Sequence, residues 1–177
     1  MAFVVQNEQG NAAGANAYCD VAFFRAYFES VGTDTTSYSD VQVEQAIVAG
    51  TRYLDSRFRF PGETRNSRQP TKWPRWGVDD ASGDRVSGVP KEIKEATCEA
   101  AMRKLSGVSL LPDPTYDATG QNVESKSVKV GPITESYTYS TAPGTGGVKL
   151  PDFPAIRMLL ASSGLITSGL SVPISRG

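Results

Sequence analysis

Apolar residues recur at helical spacing in three stretches of the first 110 positions. Between Asp20 and Gly32, the residues Phe24, Tyr27, Phe28 and Val31 form one stripe, with Asp20 placed as N-cap and Gly32 as the stop. Ser39 opens a second helix, and Gln42 three residues later completes a capping-box pattern. Val43, Ile47, Gly50, Leu54 and Phe58 then keep the i, i+3/i+4 rhythm for about four turns. A glycine inside a helix costs about 1 kcal/mol relative to alanine, so Gly50 predicts the close approach of a neighbouring helix. A third helix starts at Pro90, a residue suited to the first helical position. It runs through Ile93, Ala96, Thr97, Ala100, Ala101 and Leu105 to Gly107. Its face is mostly alanine, which again predicts tight packing.

Elsewhere the period changes or disappears. Residues 2–6 could form a short strand before a small, polar stretch that ends at Asn16. Residues 59–89 hold Pro61-Gly62, Pro70, Trp73-Pro74 and Ser87-Gly88 and keep no period; a loop of that length is more often functional than idle. Leu111 to Gln121 reads as linker. From Val123 to Ser140 alternate positions differ in character, which predicts a β-hairpin turning at Gly131-Pro132. Two strands alone are marginal in water, so the hairpin should lean on the helices or on another chain. Ala142 to Gly147 is a flexible joint. Asp152 is placed to cap a last short helix, Pro154 to Ser162, and Leu165 to Gly177 has no strong period. The expected fold is mainly α with a small β part: a three-helix bundle, a long Trp-Pro-Arg loop, a β-hairpin and an extended C-terminal arm. In regions, these are a helical domain at 1–110, linker and hairpin at 111–150, and the arm at 151–177.

Composition narrows the chemistry. A chain of 177 residues suits one domain of ordinary size, and 39% hydrophobic with 21% charged residues is close to the globular norm. It contains no histidine, which removes imidazole bases, Ser-His-Asp and Cys-His catalysis, and histidine-containing zinc sites. Two cysteines, Cys19 and Cys98, are too few for an all-cysteine zinc site and read as buried thiols. No apolar run approaches the roughly 20 residues that span a bilayer, and the first 19 residues lack the pattern of a signal peptide. The acidic run Asp79 to Asp84 lacks the EF-hand spacing and reads as a solvated turn, with a cation site as the alternative. Gly144-Thr145-Gly146-Gly147 has no following Lys-Ser/Thr and reads as linker. Glu92, Glu95 and Glu99 among Lys91, Lys94 and Arg103 predict a salt-bridged helix surface. No enzyme, cofactor, metal or membrane partner is expected.

Charge is unevenly spread. Residues 1–51 carry six acids against Arg25, a net −5, whereas residues 52–77 carry seven bases against Asp55 and Glu63, a net +5. Opposite fields in one chain suit self-association or a bound polyanion. Within the basic segment, Tyr53, Phe58, Phe60, Trp73 and Trp76 are interleaved with Arg52, Arg57, Arg59, Arg65, Arg68, Lys72 and Arg75. Cations for phosphates and flat rings for bases are what single-stranded nucleic acid requires. The same residues also suit structural anchoring and subunit contact, which is the favoured of the two readings. The C-terminal residues Phe153, Ile156, Leu159, Leu160, Leu165 and Ile166, with Leu170, are many apolar groups behind a glycine-rich joint. They either fold back on their own domain or dock into a partner.

Six pieces of the chain, in order, resemble a tailed-bacteriophage family. They are Ala15-Asn16-Ala17-Tyr18 with Ala26-Tyr27-Phe28; Ala46 to Phe60 with Gly62; Gln69 to Arg75, ending Trp73-Pro74-Arg75; Val89-Pro90; Val123 to Tyr137; and Phe153-Pro154 with Leu159-Leu160. Pro70 and Lys72 depart from the usual Ala/Leu surroundings of the third piece. Members of the family carry one of two labels: DnaT-like single-stranded DNA-binding protein, or head-to-tail connector (neck adaptor). The connector resemblance implies a virion structural protein in the neck, made in the bacterial host, that forms a ring, usually of twelve copies, below the portal. That ring would touch the phage portal protein above and a tail or nozzle protein below. Double-stranded DNA would pass through it without sequence-specific contacts. On this expectation Phe153, Ile156, Leu159, Leu160, Leu165 and Ile166 dock the portal. Arg57, Arg59, Arg65, Arg68, Lys72, Trp73, Arg75 and Trp76 then form a subunit-contact or DNA-facing loop, and the acidic N-terminal region pairs with a neighbour's basic segment. The alternative is a single-stranded DNA-binding replication or recombination accessory that uses the same cations, with Trp73 or Trp76 stacking on bases.

Overall fold

Local signals set the helix boundaries close to where the pattern places them. In the computed structural model, which describes residues 2–112, 123–129, 134–139 and 151–166, helix α1 spans Val21–Ser30. The Asp20 carboxylate accepts from Phe23 N at 2.7 Å, satisfying one of the free first-turn donors. Helix α2 spans Asp40–Arg57 behind a reciprocal Ser39–Gln42 capping box. Helix α3 spans Lys91–Leu105, with Pro90 as its N-cap rather than its first turn, a shift of one residue. Helix α4 spans Pro154–Ser162. Its N-cap is Phe153, not Asp152; the Asp152 carboxylate turns instead to Arg157, which donates to it at 2.8 and 3.1 Å. Among the described residues the protein is therefore mainly helical, with the three helices expected before Gly107 and the short fourth expected at Pro154–Ser162.

The principal interface runs between α2 and α3, and Gly50 makes it possible. A Cβ at that position would lie 2.8 Å from the carbonyl oxygen of Thr97 and 3.2 Å from Ala101 N. The alanine face of α3 meets it with Ala96, Thr97, Ala100 and Ala101, all buried. Phe24 and Phe28 of α1 close the core over Val43, Ala46, Ile47, Cys98 and Ala101. The Lys91–Glu95 and Arg103–Glu99 pairs, at 3.1 and 2.7 Å, give α3 the ion-paired surface its spacing predicts.

Helix α4 packs on α3, so the described part of the C-terminal stretch folds back on its own domain, the first of the two readings its apolar residues allow. Ile156, Leu160 and Leu165 are completely or almost completely buried within the helical unit, which comprises 1–110 and 152–177. The Phe153 ring lies 5.3 Å from that of Tyr53, under the Arg103 guanidinium at 5.2 Å. Leu159 and Ile166 are half-buried. The apolar stripe is the seam by which α4 closes the core, and burying each such side chain is worth about 1.5–3 kcal/mol. Residues 167–177, including Leu170, lie outside the described residues.

Residues 111–151 form a separate unit. In it β3 (Val123–Lys129) pairs antiparallel with β4 (Thr134–Tyr139), from Val123 opposite Tyr139 to Lys129 opposite Thr134, with an irregularity between Val123 and Ser125. The hairpin is thus observed; its turn at Gly131-Pro132 and the joint at 142–147 lie outside the described residues. Residues 2–6 make only a single parallel bridge, Val5 with Ala17. Among the described residues no helix is long and apolar enough to cross a membrane.

Candidate nucleic-acid interface

The loop at 59–89 is more structured than its lack of period suggests. A two-residue ribbon crosses it, β1 (Glu63–Thr64) antiparallel to β2 (Arg75–Trp76), with Glu63 opposite Trp76 and Thr64 opposite Arg75. The ribbon precedes α3 and the hairpin in the chain. Gly62 permits it: its φ of 70° is left-handed, and a Cβ there would lie 2.1 Å from the Trp76 carbonyl oxygen.

A buried polar network fastens the loop to the core. The Tyr18 hydroxyl donates to Asp55 Oδ1 and accepts from Trp73 N at 3.2 Å, while Asp55 Oδ2 accepts from Lys72 N at 3.2 Å. Gln6 Nε2 donates to Thr71 Oγ1 at 2.9 Å, and that hydroxyl donates to Trp73 O at 2.8 Å. Burial pushes the Asp55 carboxyl above its ordinary range, against the opposing pull of the hydrogen bonds from Tyr18 and Lys72. Burial and the neighbouring Asp55 charge hold the Tyr18 phenol well above its ordinary value, so it stays protonated and donates. These bonds tie the loop to Tyr18 and to α2.

The network sorts the expected site residues into two groups. Trp73 is fully buried, its ring edge-on to Phe60 at 5.7 Å, and so is not a surface on which a base can stack. Arg75 spends its guanidinium inside the loop, with Nε donating to Pro61 O at 2.6 Å, Nη1 to Lys72 O at 3.1 Å and Nη2 to Gly62 O at 2.5 Å. Lys72 Nζ donates to Phe58 O at 3.2 Å, satisfying a carbonyl at the end of α2. Arg57 is half-buried against the Phe58 ring, 3.7 Å from the Asp152 carboxylate. Reading Trp73 as a stacking ring, and Lys72 and Arg75 as free phosphate contacts, is therefore corrected: each has a structural bond that the loop needs.

Of the remaining four, Arg59, Arg68 and Trp76 are exposed and Arg65 is half-buried. Arg59 and Arg68 are exposed, and no ion pair is formed by either side chain among the described residues. Trp76 is 55% exposed, the aromatic with the most open ring among the described residues. The Arg65 guanidinium lies 4.3 Å from its ring centroid and donates from Nη1 to Glu8 O at 3.0 Å. A stacked guanidinium is worth about 0.5–1 kcal/mol at an exposed site and holds the indole in one orientation. The ribbon thus presents one oriented indole backed by a cation, and the same loop exposes two further arginines, Arg59 and Arg68.

The charge split is partly consumed within the chain. Arg25 pairs with Asp40 inside the acidic region, and Glu8 lies 3.9 Å from Lys94 on α3. The acidic run at 79–84 folds on itself: Asp80 Oδ1 accepts from Ser82 N and Asp84 N at 2.8 and 2.9 Å, and Asp79 pairs with Arg85. Among the described residues no group of three or more carboxylates or thiols is placed to hold a metal.

A family model described as "Putative DnaT-like ssDNA binding protein" matches residues 1–177, the whole chain. No curated protein and no solved structure matches it.

Proposed function

The chain belongs to the family of DnaT-like ssDNA-binding proteins, and from that premise we propose that it binds single-stranded DNA, without catalysis, at the ribbon of the 59–89 loop. The observation that carries this reading is Trp76, more than half exposed and held by Arg65 in a stacked pair. A base stacks on the open side of the indole while Arg59, Arg65 and Arg68 meet backbone phosphates. Every base has a π-face, so the contact is tolerant of sequence, and stacking on one ring is worth about 1–3 kcal/mol. The anchored network beneath positions the ribbon without contacting the strand.

The test is affinity for a labelled oligothymidylate as a function of salt. Three phosphate contacts predict a slope of log affinity against log salt near about −2 for a single strand. Trp76→Ala should weaken binding by about five- to 150-fold with unchanged thermal stability. A salt-independent affinity, or one that ignores Trp76, overturns the reading.

A second reading rests on the charge division of −5 over residues 1–51 and +5 over 52–77. Such a monomer suits head-to-tail contacts, where one face meets a different face, as in a closed ring. On this reading the protein is a phage neck adaptor, assembled below the portal in the virion. Light scattering distinguishes the two: a ring-sized species alone or with portal protein supports the adaptor, and a persistent monomer that binds oligonucleotide contradicts it.

A further inference from the structure

Cys19 and Cys98 are 79 positions apart in the chain, yet their sulfurs lie 3.7 Å from each other in the core. Both thiols are free and at most 2% exposed. Cys98 sits in the middle of α3, a rigid element. Cys19 sits in a bend between Ala17 and Tyr18, both buried and hydrogen-bonded, and Asp20, the N-cap of α1. Both sulfurs are thus carried by anchored backbone and face each other in the core. Forming a bond requires the sulfurs to close to about 2.05 Å, an approach that rotation of the two side chains with a small backbone adjustment must supply.

We propose that Cys19 and Cys98 are a covalent clasp, oxidised to an intramolecular disulfide by a small peroxide and reopened by a thiol reductant. The chemistry balances in two steps. One thiol, as thiolate, attacks a peroxide oxygen; the O–O bond breaks, water leaves, and a sulfenic acid remains. The second sulfur attacks that sulfenic sulfur, the S–O bond breaks, and a second water leaves as the disulfide forms. Two electrons pass from the sulfur pair to hydrogen peroxide. Peroxide suits a buried pair because a larger disulfide reagent would first need the segment to open. Contact with Cys19 pushes the Cys98 thiol up, and burial and then the carboxylates of Glu95 and Glu99 push it the same way. Thiolate is therefore scarce in the closed core, and the reaction is slow. The product joins the strand entering α1 to α3, so the closed core is covalently retained.

The experiment is mass spectrometry of the full chain after native hydrogen peroxide treatment. The expected result is a monomer two hydrogens lighter, with the Cys19 and Cys98 peptides linked and released by dithiothreitol. The oxidised chain should melt about 5–15 °C higher than the reduced one, because closing a long loop restricts the unfolded state. Three results overturn the proposal: both thiols still free, oxygen added to either cysteine without a link, or a disulfide between chains. The measurement uses the unsubstituted protein, so it does not depend on a cysteine variant folding.

Discussion

Replacing Gly50 with alanine sets two effects of opposite sign against each other. In an open helix the change would stabilise α2 by about 1 kcal/mol. Here the new methyl would meet Thr97 O at 2.8 Å, Ala101 N at 3.2 Å and Ala100 Cβ at 3.3 Å. Two of the three are backbone atoms of α3, so no side chain can rotate away and the helices themselves must separate. Ordinary contact for a methyl begins near 3.4 Å, which requires a displacement of about 0.6 Å along the principal interface. Overpacking of this kind costs about 1–3 kcal/mol, and the interface cannot relax without loosening Ile47, Leu54 and Ile93. The net expectation is a loss of up to about 2 kcal/mol after the propensity gain, or a melting midpoint lower by up to about 8 °C. Urea unfolding followed by far-UV circular dichroism measures it, with Gln45→Ala on the exposed face of the same helix as the propensity control. A Gly50→Ala protein more stable than the parent refutes the close-approach argument.

Three further outcomes follow from the same contacts. Ile156→Ala should cost about 2–5 kcal/mol in urea unfolding, because α4 closes the core; an unchanged midpoint would mean the helix is not docked there. Arg75→Ala should lower stability while Arg68→Ala leaves it unchanged and weakens oligonucleotide binding, since only Arg75 is bonded to loop carbonyls; equal effects of the two on melting would contradict that division. Asp55 has a raised carboxyl pKa in the fold, so the folded state holds the proton more tightly than the unfolded chain does. Its contribution is full below the ordinary aspartate value of 3.8 and is lost as pH rises through the higher folded value. Melting of the parent and of Asp55→Asn across that range should show the parent losing ground as pH rises, and a parent that gains ground contradicts the sign.

The three main helices were legible because their signals are local. Asp20, Ser39 with Gln42, and Gly32 act within one turn of where they stand, and Gly50 with the alanines of α3 anticipated the close packing of α2 on α3. The fate of residues 153–166 was not legible: an apolar stripe behind a glycine-rich joint has the same pattern whether it buries against its own domain or another. The basic segment cannot be sorted into anchoring and open residues from sequence for a related reason. Composition counts Arg75, Lys72 and Trp73 as available cations and ring, but loop carbonyls and a core cavity had prior claim on them. Tyr18 and Asp55 gave no signal at all, since neither lies on a predicted apolar face and their partnership spans 37 positions. Trp76 and Arg65 could be named from sequence but not paired, because the two-residue ribbon that brings them together has no period.

The central claim, that a base stacks on Trp76, can be read directly from intrinsic fluorescence. The protein has two tryptophans, Trp73 sealed in the core and Trp76 open to solvent. Saturating oligothymidylate should quench the emission of the parent, and Trp76→Phe, which keeps a ring but removes the exposed indole, should abolish the quenching. Binding without quenching, or equal quenching in Trp76→Phe, would contradict the account.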